Sequence, residues 1–70
     1  MRNLTYRQGT LLKAIIKEHI KTAEPVGSEM LVEKLKLNIS SATVRNEMLE
    51  LDKKGYLAQP HTSAGRIPTE

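Results

Sequence analysis

The fold is decided by residues 28–54, which read SEMLVEKLKLNISSATVRNEMLELDKK. Apolar residues recur at helical spacing on both sides of a short gap: Leu31, Val32 and Leu35 before it, and Val44, Met48 and Leu51 after it. The gap, residues 37–39, has room only for a tight turn. Two helices joined by so short a turn form a helix-turn-helix.

Local signals set the ends of these two helices. Ser28 is expected to cap the first, which runs to about residue 36, and Ser40 or Ser41 to cap the second, which runs to about residue 54. Asn38 is expected to adopt the left-handed conformation in the turn, because Asn tolerates that region better than most residues. Gly55 follows the second helix as a C′ glycine.

A longer helix precedes the pair. Thr5 and Gln8 have capping-box spacing, which predicts a helix from there to about Lys21. Its predicted apolar half consists of Leu11, Leu12, Ile15, Ile16 and Ile20. His19 lies near the middle of that half and is expected to be a packed imidazole.

Strands are expected around and after the helix-turn-helix. Val26 is predicted to form a very short strand, residues 56–59 a second one, and residues 66–68 an edge strand that returns after a turn-rich loop. The predicted fold class is therefore α+β and mostly helical: a winged helix-turn-helix of three helices plus a C-terminal β-hairpin wing. Thr69 has the character of a further helix cap, so we expect residues 1–70 to be one winged-helix domain of a longer protein.

Composition excludes several classes of function. In its 70 residues the chain has no cysteine, which rules out a disulfide framework and any thiolate zinc site. Two histidines far apart and no convergent acidic pair leave nothing from which to build an active site, so we expect neither an enzyme nor a cofactor or metal. No apolar run approaches the ~20 residues that span a bilayer. We therefore expect a cytoplasmic protein that does not associate with a membrane.

The charge is mildly basic and unevenly placed. The formal net charge is +3. Residues 1–23 carry five basic and one acidic residue, whereas residues 24–70 carry six basic and seven acidic ones. A net charge of this size is compatible with a small phosphate-binding domain but is equally typical of a soluble basic surface.

The topology favours binding to double-stranded DNA. A recognition helix enters the major groove and reads base edges with its N-terminal half, while a wing reaches adjacent backbone or minor groove. The candidate DNA-binding residues on the helix are Ser40, Ser41, Thr43, Arg45 and Asn46, and those on the wing loop are His61, Thr62, Ser63 and Arg66. The alternative is a winged-helix protein-interaction module without nucleic-acid binding. That alternative requires an exposed apolar patch on the third helix, where the sequence offers only Ala42 and Leu49.

Three segments carry a family resemblance: residues 24–28 (EPVGS), residues 40–48 (SSATVRNEM), and residues 55–69, whose second part reads QPHTSAGRIPT. They resemble the N-terminal domain of the heat-inducible transcription repressors of the HrcA family. The resemblance implies a bacterial repressor of chaperone genes that acts in the cytoplasm at the nucleoid and binds an inverted-repeat operator as a homodimer. It further implies that a chaperonin regulates the full-length protein. The recognition-helix positions of the family correspond here to Ser41, Thr43, Arg45 and Asn46, and its wing to residues 61–66.

Overall fold

The computed structural model describes residues 3–60 and 65–69, which form three helices followed by a β-hairpin. The elements are α1 (Tyr6–Thr22), α2 (Ser28–Leu35), α3 (Ser41–Lys53), β1 (Leu57–Ala58) and β2 (Ile67–Pro68). The predicted winged helix-turn-helix is confirmed. Each predicted helix is present, with ends within two residues of those expected.

The caps of α1 and α3 follow from local sequence. The Thr5 hydroxyl accepts a hydrogen bond from the backbone N–H of Gln8 at 3.0 Å, and the Gln8 side chain accepts one from the Thr5 N–H, which completes the predicted capping box. Ser40 is the N-cap of α3. Gly55 has a φ of 90°, as expected for a glycine that ends a helix in the left-handed region.

Two predictions about α2 are wrong. Its N-cap is Gly27, which supplies no side-chain cap, and Ser28 is the first helical residue. The left-handed residue after the helix is Lys36, with φ 51°, rather than Asn38. The chain reverses immediately after the last helical residue, and the N–H of Leu37 donates to the Val32 carbonyl at 3.1 Å. This bond closes the helix before the turn reaches Asn38.

The hairpin is joined to the segment before α2. β1 and β2 are antiparallel, with Leu57 opposite Pro68 and Ala58 opposite Ile67. Val26 forms the predicted short strand as an isolated bridge to Arg66, with backbone hydrogen bonds of 2.8 and 2.9 Å. The wing is therefore tied to the chain on the N-terminal side of the helix-turn-helix.

The core lies where the three helices and the hairpin meet. It consists of Leu11, Ile15, Val26, Leu31, Val44, Met48, Leu51 and Leu57. The predicted core stripe of α3 is confirmed, but the expectation that Ile20 and Leu35 are buried is wrong: they are 77% and 43% exposed. At 100° per residue, Ile20 lies about 20° from Lys13 around α1, on the lysine side of the helix. Leu35 is the last residue of α2.

Two further expectations concern the environment of His19 and the possibility of a membrane-spanning helix. His19 is half-buried, and its Nδ1 lies 2.9 Å from the backbone oxygen of Glu24, so the ring has a polar contact with the segment after α1. None of the helices within residues 3–60 is long and apolar enough to cross a membrane.

Candidate nucleic-acid interface

The exposed face of α3 is fixed by its buried stripe. Val44, Met48 and Leu51 are almost completely buried, which turns the opposite side of the helix outward. Asn46 lies about 200° around the helix from Val44 and is exposed, as is Leu49 at 41%. The outward face therefore presents a polar amide near the first half of the helix, where a recognition helix reads bases.

The first turn of α3 clusters three hydroxyl side chains. Ser40 Oγ accepts a hydrogen bond from the Thr43 N–H at 3.2 Å, and the two hydroxyls lie 3.1 Å apart. Ser40 is exposed, whereas Ser41 and Thr43 are half-buried. The predicted residues are thus brought together at a helix N-terminus, whose outward N–H groups suit a phosphate oxygen. Thr43 also has a local role, because its hydroxyl contacts the cap.

Arg45 borders a groove between α3, the start of α2 and the hairpin. The groove has a volume of about 640 Å³ and is lined by Gly27, Ser28, Glu29, Met30, Arg45, Met48, Leu49, Gln59, Gly65 and Arg66. Arg45 is exposed and places its charge beside this groove. Asn46 is one residue further on, about 100° around the helix, so the two side chains address different parts of the surface. Glu29 contributes an acidic group to the lining of the same groove.

A polar network that sequence reasoning missed holds α3 against α1. Gln8, which is 5% exposed, donates from Nε2 to Glu47 Oε1 at 3.0 Å and accepts from Lys54 Nζ at 2.6 Å. Arg7 forms an ion pair with the same Glu47 at 3.3 Å, and Lys54 also donates to the Asn3 carbonyl at 2.8 Å. The capping-box spacing predicts the contact of Gln8 with Thr5. Its other two partners, Glu47 and Lys54, lie 39 and 46 residues away in sequence.

The structure places Arg66 differently from the other candidates. Its expected contact with DNA from the wing stays a prediction, but the side chain is buried, unlike those of Arg45 and Asn46. Its side chain is 9% exposed, and Nε lies 3.2 Å from Asp52 Oδ2 of α3. The reason is the bridge to Val26, which draws residue 66 against the body of the protein.

His61, Thr62 and Ser63 lie outside the described residues. The structure therefore groups five of the nine candidates at the start of α3: Ser40, Ser41, Thr43, Arg45 and Asn46. Their contact with DNA stays a prediction. Within residues 3–60 and 65–69, no cluster of three or more His, Cys, Asp or Glu side chains could hold a metal ion.

Known proteins share both the sequence and the fold of this chain. The heat-inducible transcription repressor HrcA of Desulforamulus reducens is 59% identical over 63 residues, which cover 90% of this chain and 18% of that protein. HrcA of Natranaerobius thermophilus is 54% identical over 68 residues, 97% of this chain and 20% of its own length. The chain is homologous to the N-terminal domain of HrcA. No protein-family model matches it.

The chain spans about a fifth of the length of the HrcA proteins it matches. A crystal structure of a hypothetical protein at 2.2 Å resolution has the same fold, with a TM-score of 0.90 and 48% identity. The match covers 96% of this chain and 21% of that one. The HrcA homologues are transcription repressors by name, and this chain is similar to the N-terminal fifth of them.

Proposed function

We propose that this chain binds double-stranded DNA in a sequence-specific manner, as the operator-reading domain of a bacterial repressor of chaperone genes. The observation that carries the proposal is the polar edge at the start of α3, in which Asn46 lies opposite the buried stripe and Arg45 beside it. The edge consists of Ser40, Ser41, Thr43, Arg45 and Asn46. Homology to heat-inducible repressors supports the biological role.

The chemistry of this edge suits a duplex. An exposed arginine pairs with guanine in the major groove, and an exposed asparagine pairs with adenine. Arg45 and Asn46 supply these two groups on neighbouring sides of α3. Ser40 and Ser41, at the N-terminus of the same helix, supply hydroxyl and backbone N–H donors for a phosphate. Base reading and phosphate contact are therefore available from about the first two turns of α3.

A protein-interaction module is the weaker alternative. It would need a continuous apolar patch on the outward face of α3. That face presents Leu49 at 41% exposure together with the small side chain of Ala42. Polar residues surround them, and burying Asn46 and Arg45 against an apolar partner would cost desolvation free energy.

The test is a salt titration of binding to two duplexes. One is an inverted repeat from upstream of chaperone genes, and the other has the same composition in scrambled order. We expect the logarithm of affinity to fall linearly with the logarithm of salt concentration on both duplexes, because phosphate contacts release counterions. We also expect the inverted repeat to bind at least about 10³-fold more tightly at one fixed salt concentration. Equal affinities for the two duplexes would contradict sequence-specific binding.

The remaining expectations concern the repressor as a whole. We infer that it acts as a homodimer on the inverted repeat, in the cytoplasm at the nucleoid, and that a chaperonin keeps it active until heat relieves repression. In the HrcA family these properties are expected from parts of the protein that this chain does not span. We therefore expect added chaperonin to leave the duplex affinity of the 70-residue chain unchanged.

A further inference from the structure

An ion pair between a buried arginine and a partly exposed aspartate connects the hairpin to the end of α3. Arg66 Nε lies 3.2 Å from Asp52 Oδ2, and the two side chains are 9% and 37% exposed. The contact is an ion pair rather than a well-directed hydrogen bond. Arg66 also donates from a terminal guanidinium nitrogen to the Gly65 carbonyl at 3.4 Å. The positive charge of Arg66 is therefore paired within the protein, at the C-terminal turn of the proposed recognition helix.

The backbone at the same place is held against the segment before α2. Val26 and Arg66 exchange two backbone hydrogen bonds, of 2.8 and 2.9 Å. Gly65 approaches so closely that a Cβ there would lie 3.0 Å from Pro25 Cβ and 3.1 Å from Val26 backbone atoms. The backbone of residues 65 and 66 thus contacts the segment that precedes α2. The Arg66 side chain contacts α3.

This arrangement sets the relative placement of wing and recognition helix. Residue 66 is the point at which the chain returns from the wing loop into β2. If it shifted, the groove beside Arg45 would change shape, because Gly65 and Arg66 line one wall of that groove. A guanidinium that moved out to a phosphate would have to give up its ion pair with Asp52.

We propose that Arg66 is a positioning residue: its ion pair with Asp52 fixes the wing relative to α3, and its guanidinium does not contact DNA. The proposal rests on the proposed DNA binding and assigns Arg66 a different role in it from the one the sequence predicts. Arg45 and the N-terminal residues of α3 remain the DNA-contacting groups.

Two substitutions that remove opposite charges test this assignment through the direction in which each changes duplex affinity. Asp52→Asn removes a negative charge, and Arg66→Gln removes a positive one. If only electrostatics mattered, the first variant would bind a duplex more tightly and the second more weakly. If the pair positions the wing, both variants lose affinity for the inverted repeat, each by about tenfold. The double variant should then be at most about threefold weaker than either single variant, since the two residues act as one unit.

The slope of the logarithm of affinity against the logarithm of salt concentration, here called the salt slope, gives a second readout. A loss of stability alone would not change this slope. A residue that contacts a phosphate lowers the slope by about 1 when it is removed. We expect Arg66→Gln to leave the slope unchanged. Ile15→Val is the control for stability, because it costs about 0.5–1.5 kcal/mol in the core without changing any charge. It should keep the parent affinity at a temperature where all variants are folded by circular dichroism.

Hydrogen exchange of the Val26 and Arg66 amides tests the anchor, that is, the attachment of residue 66 to Val26 and Asp52, without DNA. We expect exchange at these two positions to accelerate at least about tenfold in Asp52→Asn, with amides of α1 unaffected. A reduced salt slope in Arg66→Gln together with tighter binding by Asp52→Asn would overturn the assignment. Parent affinity in both variants would also overturn it. If the parent chain fails to distinguish the two duplexes, the proposed function is wrong, whereas accelerated exchange would still establish the anchor.

Discussion

Gln8 of α1 and Glu47 of α3 are joined by a hydrogen bond of 3.0 Å between Nε2 and Oε1, although 39 residues separate them in sequence. Gln8 is almost fully buried, and the same side chain accepts a hydrogen bond from Lys54 Nζ at 2.6 Å. One amide therefore connects the start of α1 to both the middle and the end of the proposed recognition helix. Its loss should weaken the placement of α3 as well as the cap of α1.

Replacing Gln8 by alanine tests that connection. The substitution removes the acceptor used by Thr5 and Lys54 and the donor used by Glu47, so we expect a loss of about 1–3 kcal/mol in the free energy of unfolding. Urea denaturation measures it. Lys13→Ala, an exposed change on the same helix, should stay within about 0.5 kcal/mol of the parent. Equal effects of the two substitutions would show that the network contributes nothing.

Met48 and Leu49 are neighbours in sequence with opposite environments. Met48 is 3% exposed and Leu49 41% exposed. Met48→Ala should cost about 2–5 kcal/mol, enough to unfold much of so small a protein at 37 °C, because it leaves a core cavity. Leu49→Ala should cost less than about 1 kcal/mol. Thermal unfolding followed by circular dichroism compares them, and an unchanged melting temperature for Met48→Ala would refute the packing of α3.

Gly9 and Gly55 should respond to the same substitution with opposite signs. Gly9 lies within α1 with open space around it, so Gly9→Ala should stabilise the protein by about 0.5–1 kcal/mol. Gly55 also has open space, but its φ of 90° is unfavourable for a side chain, and Gly55→Ala should cost about 1–2 kcal/mol. Denaturant unfolding of the two variants in parallel checks the prediction. The same sign in both would mean that backbone conformation does not dominate at Gly55.

Ser40 has two roles that different substitutions separate. Ser40→Ala should destabilise α3 by about 1 kcal/mol, because the Thr43 N–H loses its cap acceptor. Ser40→Asp keeps the cap but adds a negative charge where we propose a phosphate. It should therefore retain parent stability and lose affinity for both duplexes, about tenfold or more at low salt. Retained affinity in Ser40→Asp would remove the α3 N-terminus from the phosphate contacts.

Asn46 is the residue to which we assign base reading. Asn46→Ala should cost about 1–3 kcal/mol of binding on the inverted repeat and much less on the scrambled duplex, because an amide that pairs with a base edge discriminates between sequences. Both duplexes must be titrated at one salt concentration, with Glu33→Ala on the exposed side of α2 as the control. Unchanged affinity on the inverted repeat, with the fold intact, would exclude Asn46 from the recognition set.

Local sequence patterns were sufficient to predict the order of the helices and strands and much of the polar edge of α3. The capping box at Thr5, the cap at Ser40 and the glycine at position 55 depend on residues at most four apart, so sequence spacing predicts them directly. The buried stripe of α3 also follows from helical periodicity, and with it the outward position of Asn46. Each of these features is a property of one helix.

Features that depend on a second element could not be read in this way. Periodicity places Ile20 at the edge of the apolar half of α1, about 20° from Lys13. Burial also requires a neighbour, and at that end of the helix the side chain is 77% exposed. Arg66 follows the turn-rich loop in sequence, and its bridge to Val26, 40 residues earlier, brings the guanidinium to Asp52. Sequence alone determined the helices, the hairpin and the polar edge of α3. The tertiary structure decided which charged and amide side chains are buried, because burial depends on contacts between segments distant in sequence, and local spacing carries no information about those contacts.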